Sequence, residues 1–121
     1  MSDTRTPFDP GGIADDRLHG VLRAREDGHT VGQIVYFTLT EPEAALVPVH
    51  TEVPPAHEGR GIAGALATEL YALAAREGLA VVPLCPYVAR WAERHPEQAP
   101  APSAALVAAA RAKVEADPAT W

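Results

Sequence analysis

Residues 59–64 read Gly-Arg-Gly-Ile-Ala-Gly, a run of mostly small side chains that lets a ligand approach the backbone closely. Apolar residues recur at helical spacing from Ile62 onward, so the glycines stand at the start of a predicted helix. Backbone N–H groups at a helix N-terminus have no intrahelical acceptor and favour phosphate or pyrophosphate. The run therefore indicates a phosphate-binding loop, and a Gly-rich turn without a ligand is the alternative.

The same residues satisfy the dinucleotide-binding pattern G-x-G-x-x-G, but their surroundings fit such a site poorly. In a dinucleotide site the first glycine almost directly follows its strand, whereas residues 54–58 intervene here. Leu84-Cys85-Pro86 stands where a carboxylate would hold the ribose. A nucleotide-binding fragment is therefore the weaker interpretation of this loop.

The loop needs a strand before it and a helix after it, and the apolar pattern predicts both. An apolar stripe runs from residue 62 to about residue 77, where Gly78 fits a left-handed helix cap. Residues 44–53 predict the preceding strand, in which Pro48 implies irregular pairing because proline has no N–H. The apolar run at residues 79–84 predicts a strand parallel to it, joined through a right-handed crossover helix.

Two earlier strands and two later helices complete the predicted domain. A strand from about Leu18 and a strand at residues 31–40 form a hairpin around Asp27-Gly28. This predicts an α/β (α+β) fold with a mixed antiparallel and parallel sheet, whose third and fourth strands are residues 44–53 and 79–84. Short helices are expected at residues 87–95 and 103–116, and the weak stripe of the latter suggests loose docking or a partner.

Composition bounds the domain organisation and the partners. The chain has 121 residues, a formal net charge of −6 and one cysteine. We expect a flexible tail over residues 1–16, one domain over residues 17–97, and a Pro/Ala linker with the last helix over residues 98–121. The charge argues against nucleic-acid and acidic-membrane binding, and no apolar run is long enough for a membrane span. We expect a cytoplasmic protein with a reduced thiol.

Three short motifs recur in the same order in a known family. They are His50-Thr51-Glu52-Val53, Glu58-Gly59-Arg60-Gly61-Ile62-Ala63 and Pro83-Leu84-Cys85-Pro86-Tyr87, followed by Arg94-His95-Pro96-Glu97. The sequence resembles the small, single-domain branch of the GNAT acetyltransferase superfamily, over residues 18 to about 97. One departure from the superfamily is Glu58, which stands where the usual loop has Gln or Arg.

The resemblance implies a cofactor and its binding residues. In this family the third and fourth strands splay apart, and acetyl-CoA lies in the gap with its pyrophosphate on the glycine loop. Carried onto this chain, the coenzyme A contacts come from Val53, Glu58, Gly59, Arg60, Gly61, Ile62, Ala63 and Gly64. Arg60 is either a charge for a phosphate of the cofactor or a solvated side chain.

Four side chains near the predicted strand ends are candidates for catalysis. His50 and Glu52 are two residues apart on one strand and so face the same side, as a base and its orienting partner would. Cys85 is a proton donor to the coenzyme thiolate, an acyl carrier or an inert core residue. The family commonly uses a tyrosine acid, which makes Tyr87 a candidate. The remaining histidines have no paired Cys/His spacing, so we predict no metal site.

Together these observations predict an acetyl-CoA-dependent N-acetyltransferase that acts on an unidentified primary amine. The alternative is a non-catalytic module that binds coenzyme A or acyl-CoA and partners another protein. The C-terminal helix would be the surface for such a partner, or for a weak homo-oligomer.

Overall fold

A computed structural model of the protein describes residues 8–116. One mixed sheet of five strands runs in the order β1-β2-β3-β4-β5, antiparallel except for the parallel pair β4–β5. This confirms the predicted fold class. The strands are β1 (Ile13–Asp16), β2 (Val21–Glu26), β3 (His29–Leu39), β4 (Ala45–Glu52) and β5 (Ala80–Val81). The helices are α1 (Ile62–Glu77), α2 (Pro86–Arg94) and α3 (Ala104–Ala116).

The hairpin between β2 and β3 forms where the Asp-Gly pair predicts it. Asp27 and Gly28 have φ angles of 52° and 80°, as a two-residue turn with left-handed central residues requires. The turn brings β2 and β3 together as the centre of the antiparallel part of the sheet. Its far end carries Glu26, which contacts the glycine loop.

Strand β4 is irregular at Pro48, as its sequence predicts. Tyr36 of β3 pairs with Pro48, whereas the preceding Val35 pairs with His50, so Val49 is an extra residue in the ladder. This bulge shifts the alternation of side chains in the last part of β4. Pro48 and the bulge lie just before the residues that the sequence singles out for chemistry.

Helix α1 connects β4 to β5 and packs closely on β3. A Cβ built on Gly32 would lie 2.6 Å from Ile62 Cγ2, so only glycine allows this approach. The apolar stripe of α1 is buried, and Gly78 ends the helix with a φ of 72°. The amides of Gly78 and Leu79 donate to Ala75 and Ala74, at 3.3 and 2.8 Å. The close approach at Gly32 therefore places the start of α1 against β3, and the cap at Gly78 sets where the helix ends.

Helix α3 covers the other face of the sheet. Leu106 and Ala110 are fully buried in a second apolar cluster with Phe37, Val47 and Val82. The apolar stripe that suggested loose docking or a partner thus packs on the chain's own sheet. The Ser103 hydroxyl accepts the Leu106 amide at 3.2 Å and caps the first turn.

The structure differs from the sequence-based expectations at three places. Residues 8–16, expected to be part of a tail, form a 3₁₀ turn at Pro10–Gly12 and strand β1, while residues 1–7 lie outside the described residues. Phe8 is buried in the main core, which explains why this segment is ordered. Strand β5 covers two residues of the predicted run 79–84. Helix α2 begins one residue earlier than expected, at Pro86, and ends at Arg94.

Among residues 8–116, no helix has the length and apolar character that crossing a membrane would require.

Candidate functional site

The loop between β4 and α1 contains two glycines with left-handed backbone angles just before the helix starts. Pro55–His57 form a single 3₁₀ turn, and Gly59 and Gly61 follow with φ angles of 84° and 79°. Glycine is the residue that adopts these angles without strain, so both positions depend on the absence of a Cβ. The second left-handed residue, Gly61, is the N-cap of α1.

The N-terminus of α1 presents amides that have no intrahelical acceptor to a small pocket. Ala65 makes the first intrahelical bond, to the Gly61 carbonyl at 3.0 Å, which leaves the amides of Ile62, Ala63 and Gly64 without an intrahelical acceptor. The pocket in front of them measures about 170 Å³. It is lined by Val53, His57, Glu58, Gly59, Gly61, Ile62, Ala63, Gly64 and Tyr87. Seven of the eight residues expected to contact a cofactor are among them.

Glycines give this pocket the shape of a cradle for an anion. A Cβ built on Gly61 would meet nothing within 4 Å, and one on Gly64 would meet only Tyr87 Oη, at 3.7 Å. The space that side chains would fill is therefore open in front of the amides. Free N–H groups and the positive end of the helix dipole make such a space suitable for a diphosphate.

Arg60, the eighth of these residues, is not among those that line the pocket. Its Nη2 lies 2.5 Å from Glu26 Oε2, and its Nη1 lies 3.3 Å from His57 Nδ1. Only 10% of the Arg60 side chain is exposed. The hydrogen bond from Arg60 lowers the pKa of Glu26, and Glu26 raises the pKa of Arg60. In the structure Arg60 thus ties the loop to the end of β2.

The pairing between β4 and residues 80–85 stops next to this pocket. The Pro48 carbonyl accepts from both Leu84 and Cys85, at 3.1 and 3.0 Å. Beyond that point β4 continues to Glu52, whereas the other segment turns at Pro86 into α2. A gap therefore opens at this edge of the sheet, between the two strands that the sequence expects to splay.

Cys85 lies at the start of this gap, on the α1 side of the sheet. Its side chain is buried at 3% exposure, and its Sγ lies 3.2 Å from Thr51 Oγ1. Thr51 is not among the site residues that the sequence predicts. Alternation along β4 places Thr51 opposite to His50 and Glu52, but the bulge at Val49 is what puts it on the Cys85 side of the sheet.

His50 and Glu52 lie on the other face of the sheet, where both are exposed. They pair with Val35 and Gln33 of β3, and the Gln33 amide donates to Glu52 Oε1 at 3.5 Å. The two side chains share a face, but the sheet separates that face from the Cys85 thiol. The structure therefore does not bring His50 or Glu52 to Cys85 as an activating base.

Tyr87 connects the loop pocket with the gap. It is half-buried in the first turn of α2 and forms one wall of the pocket. Burial raises the pKa of its phenol, so the hydroxyl keeps its proton at neutral pH. Tyr87 thus offers a proton donor beside the amides of α1, whereas His50 and Glu52 lie on the opposite face of the sheet.

Comparisons with known proteins bear on the family and the fold of the chain. Residues 21–100 match the family model described as GCN5-related N-acetyl-transferase. A solved ribosomal-protein-alanine N-acetyltransferase from Brucella melitensis biovar Abortus 2308 is 30% identical, with a TM-score of 0.56, over 69% of this chain. The match spans 62% of that protein, less than two thirds of its length.

A solved aminoglycoside acetyltransferase from an uncultured soil metagenomic sample is 33% identical over 50% of this chain and 42% of its own, with a TM-score of 0.45. No curated protein is similar enough to this chain to count as a match.

Proposed function

Since this chain belongs to the GCN5-related N-acetyltransferase family, we propose that it transfers the acetyl group of acetyl-CoA to a primary amine. The observation that carries the proposal is the glycine-lined pocket at the N-terminus of α1, which adjoins the gap beside β4. The N-terminus of α1 supplies the amides for a diphosphate, and β4 beyond Pro48 supplies a free strand edge. We propose both that acetyl-CoA is the donor and that a primary amine is the acceptor.

The residues present fit acetyl-CoA. The amides of Ile62, Ala63 and Gly64 would hold its diphosphate, because they lack intrahelical acceptors and face open space. The edge of β4 beyond Pro48 has backbone groups that can pair with an amide-bearing arm such as pantetheine. When bound, acetyl-CoA supplies an activated thioester for acyl transfer.

The two faces of the sheet divide the acid and base roles. An ammonium acceptor must lose a proton before it attacks, and the departing thiolate must gain one. Glu52 or His50 takes the proton of the amine, because both are exposed and share one face. Tyr87 gives a proton to the thiolate on the α1 side, since its phenol stays protonated and lines the loop pocket.

The first test is binding of acetyl-CoA, measured as a rise in the melting temperature of the protein. A ligand at a hundred times its Kd stabilises the native state by about 2.7 kcal/mol, so we expect a rise of several degrees. Gly64→Leu should abolish the rise, because the new side chain fills the pocket from a helical position without positive φ. Ala108→Leu, on the exposed side of α3, is the control and should keep it.

The same experiment separates this proposal from its rivals. NAD should cause no shift, and stabilisation by NAD but not by acetyl-CoA would favour a dinucleotide site. An unchanged acetyl-CoA shift in folded Gly64→Leu would remove the loop from the site. Binding without turnover would favour the non-catalytic module.

The name of the Brucella structure suggests one acceptor to include. That protein is named for an alanine of a ribosomal protein, and the α-amine of an N-terminal alanine is a primary amine. We therefore propose that an acceptor panel contains a peptide with N-terminal alanine beside a lysine side-chain amine and a simple alkylamine.

A further inference from the structure

A second and larger pocket lies along the other half of α1. It measures about 460 Å³ and is enclosed by the C-terminal half of α1, by β5 and by residues 97–102. Its walls are mostly alanine, leucine and proline side chains. It shares no lining residue with the pocket at the glycine loop. It is therefore separate from the proposed acetyl-CoA site.

Tyr71 places an unpaired hydroxyl at this pocket. The residue is 5% exposed, and its ring stacks on Trp91 with centroids 5.5 Å apart. Within residues 8–116 the structure shows no hydrogen bond for the Tyr71 hydroxyl, and Tyr71 forms part of the pocket wall. Burial raises the pKa of Tyr71 to about 12, so the phenol remains a donor. The hydroxyl is not sealed from solvent, so it is free to donate to an oxygen of a ligand in the pocket.

The edge of β5 adds backbone groups on the same side. The amides of Ala80 and Val82 donate to β4, at 3.1 and 2.9 Å, so the amide of Val81 between them points away from β4. Val81 lines the pocket, and the facing residues 97–102 make no backbone hydrogen bond to it. Its N–H and C=O therefore form a donor and acceptor pair at the free edge of the sheet.

These groups define the chemistry of a ligand. Tyr71 and the Val81 N–H donate to a carbonyl oxygen, and the Val81 C=O accepts from an N–H, which together match an amide. Glu97 on the pocket wall and the net charge of −6 disfavour an anion. The small apolar side chains suit an apolar body attached to that amide. We propose that this pocket binds an uncharged amide with an apolar body, held by Tyr71 and the edge of Val81.

Benzamide is the probe for this proposal, and the chain is used without acetyl-CoA. Titration followed by protein NMR should give saturable shifts around Val81 and Tyr71, with a Kd of about 1 mM or tighter, which is reachable for a ligand of this size. Tyr71→Phe should weaken binding about fivefold, because it removes one hydrogen bond. Ala75→Phe, at an exposed position on the pocket wall, should abolish binding by filling the space.

Controls make each outcome decisive. Tyr71→Phe should melt no lower than the wild type, since its hydroxyl has no partner to lose within the described residues. Benzoate, of matched size and negative charge, should bind at least tenfold more weakly. Gly64→Leu should bind benzamide normally, so failure at one pocket is distinguishable from failure at the other. Absence of saturable binding, equal binding of benzoate, or full affinity in both pocket variants would overturn the proposal.

Discussion

At the level of single residues, spacing predicts backbone roles better than side-chain contacts. Gly59 and Gly61 do adopt the left-handed angles that a glycine loop requires, and the helix begins directly after them. Arg60 lies between them and binds Glu26, which is 34 residues away along the chain. No local sequence pattern predicts that ion pair. The sequence left Arg60 between a phosphate contact and solvent, whereas in the structure it ties the loop to the end of β2.

Cys85 allows a sharp test at the same scale. Its thiol is buried against Thr51, on the face opposite to His50 and Glu52, so neither of these two residues is placed to make it a nucleophile. We therefore predict that incubation with acetyl-CoA and no amine leaves the intact mass unchanged. An added acetyl group that is lost in Cys85→Ala would contradict this and would make Cys85 an acyl carrier.

At the level of elements, the positions of strands and helices follow local signals where those signals are strong. The Asp-Gly turn, the stripe of α1 and its cap at Gly78 are confirmed, because each rests on neighbouring residues. Strand β1 was not predicted. Its acidic residues look like part of a tail, but Asp15 accepts from Tyr36 at 2.5 Å and Asp16 pairs with Arg23 at 2.9 Å. Such partners become visible only in the folded sheet.

Helix α3 packs on the sheet, so its buried residues should contribute to the stability of the fold. Leu106 is fully buried against the sheet, whereas Leu18 is 88% exposed. Leu106→Ala should lower the free energy of unfolding by about 2–5 kcal/mol, because it leaves a cavity in the second cluster. Urea denaturation of both variants measures this, and Leu18→Ala is the matched control, expected within about 0.5 kcal/mol of wild type. Equal stability of the two variants would mean that α3 does not dock as described.

At the level of the whole molecule, the sheet separates two sets of chemical groups that the sequence had combined into one site. The loop amides, Tyr87 and Cys85 lie on the α1 side, and His50 and Glu52 lie on the α3 side. Sequence spacing correctly puts all of them near the strand ends. It could not assign the faces, because the bulge at Val49 changes the alternation of β4. The gap beyond Pro48 is where an acyl group and an amine from opposite faces would meet.

The most direct test of this account is coenzyme A release from acetyl-CoA, measured with a thiol reagent in the presence of a panel of primary amines. Wild-type protein should release thiol only when an accepted amine is present, with the acetylated amine detected by mass spectrometry. Glu52→Gln should still bind acetyl-CoA, but kcat should fall by about 10²-fold if this carboxylate takes the proton of the amine. If acetyl-CoA binds and no amine yields thiol above the uncatalysed rate, the chain is a binding module and the proposed catalysis is wrong.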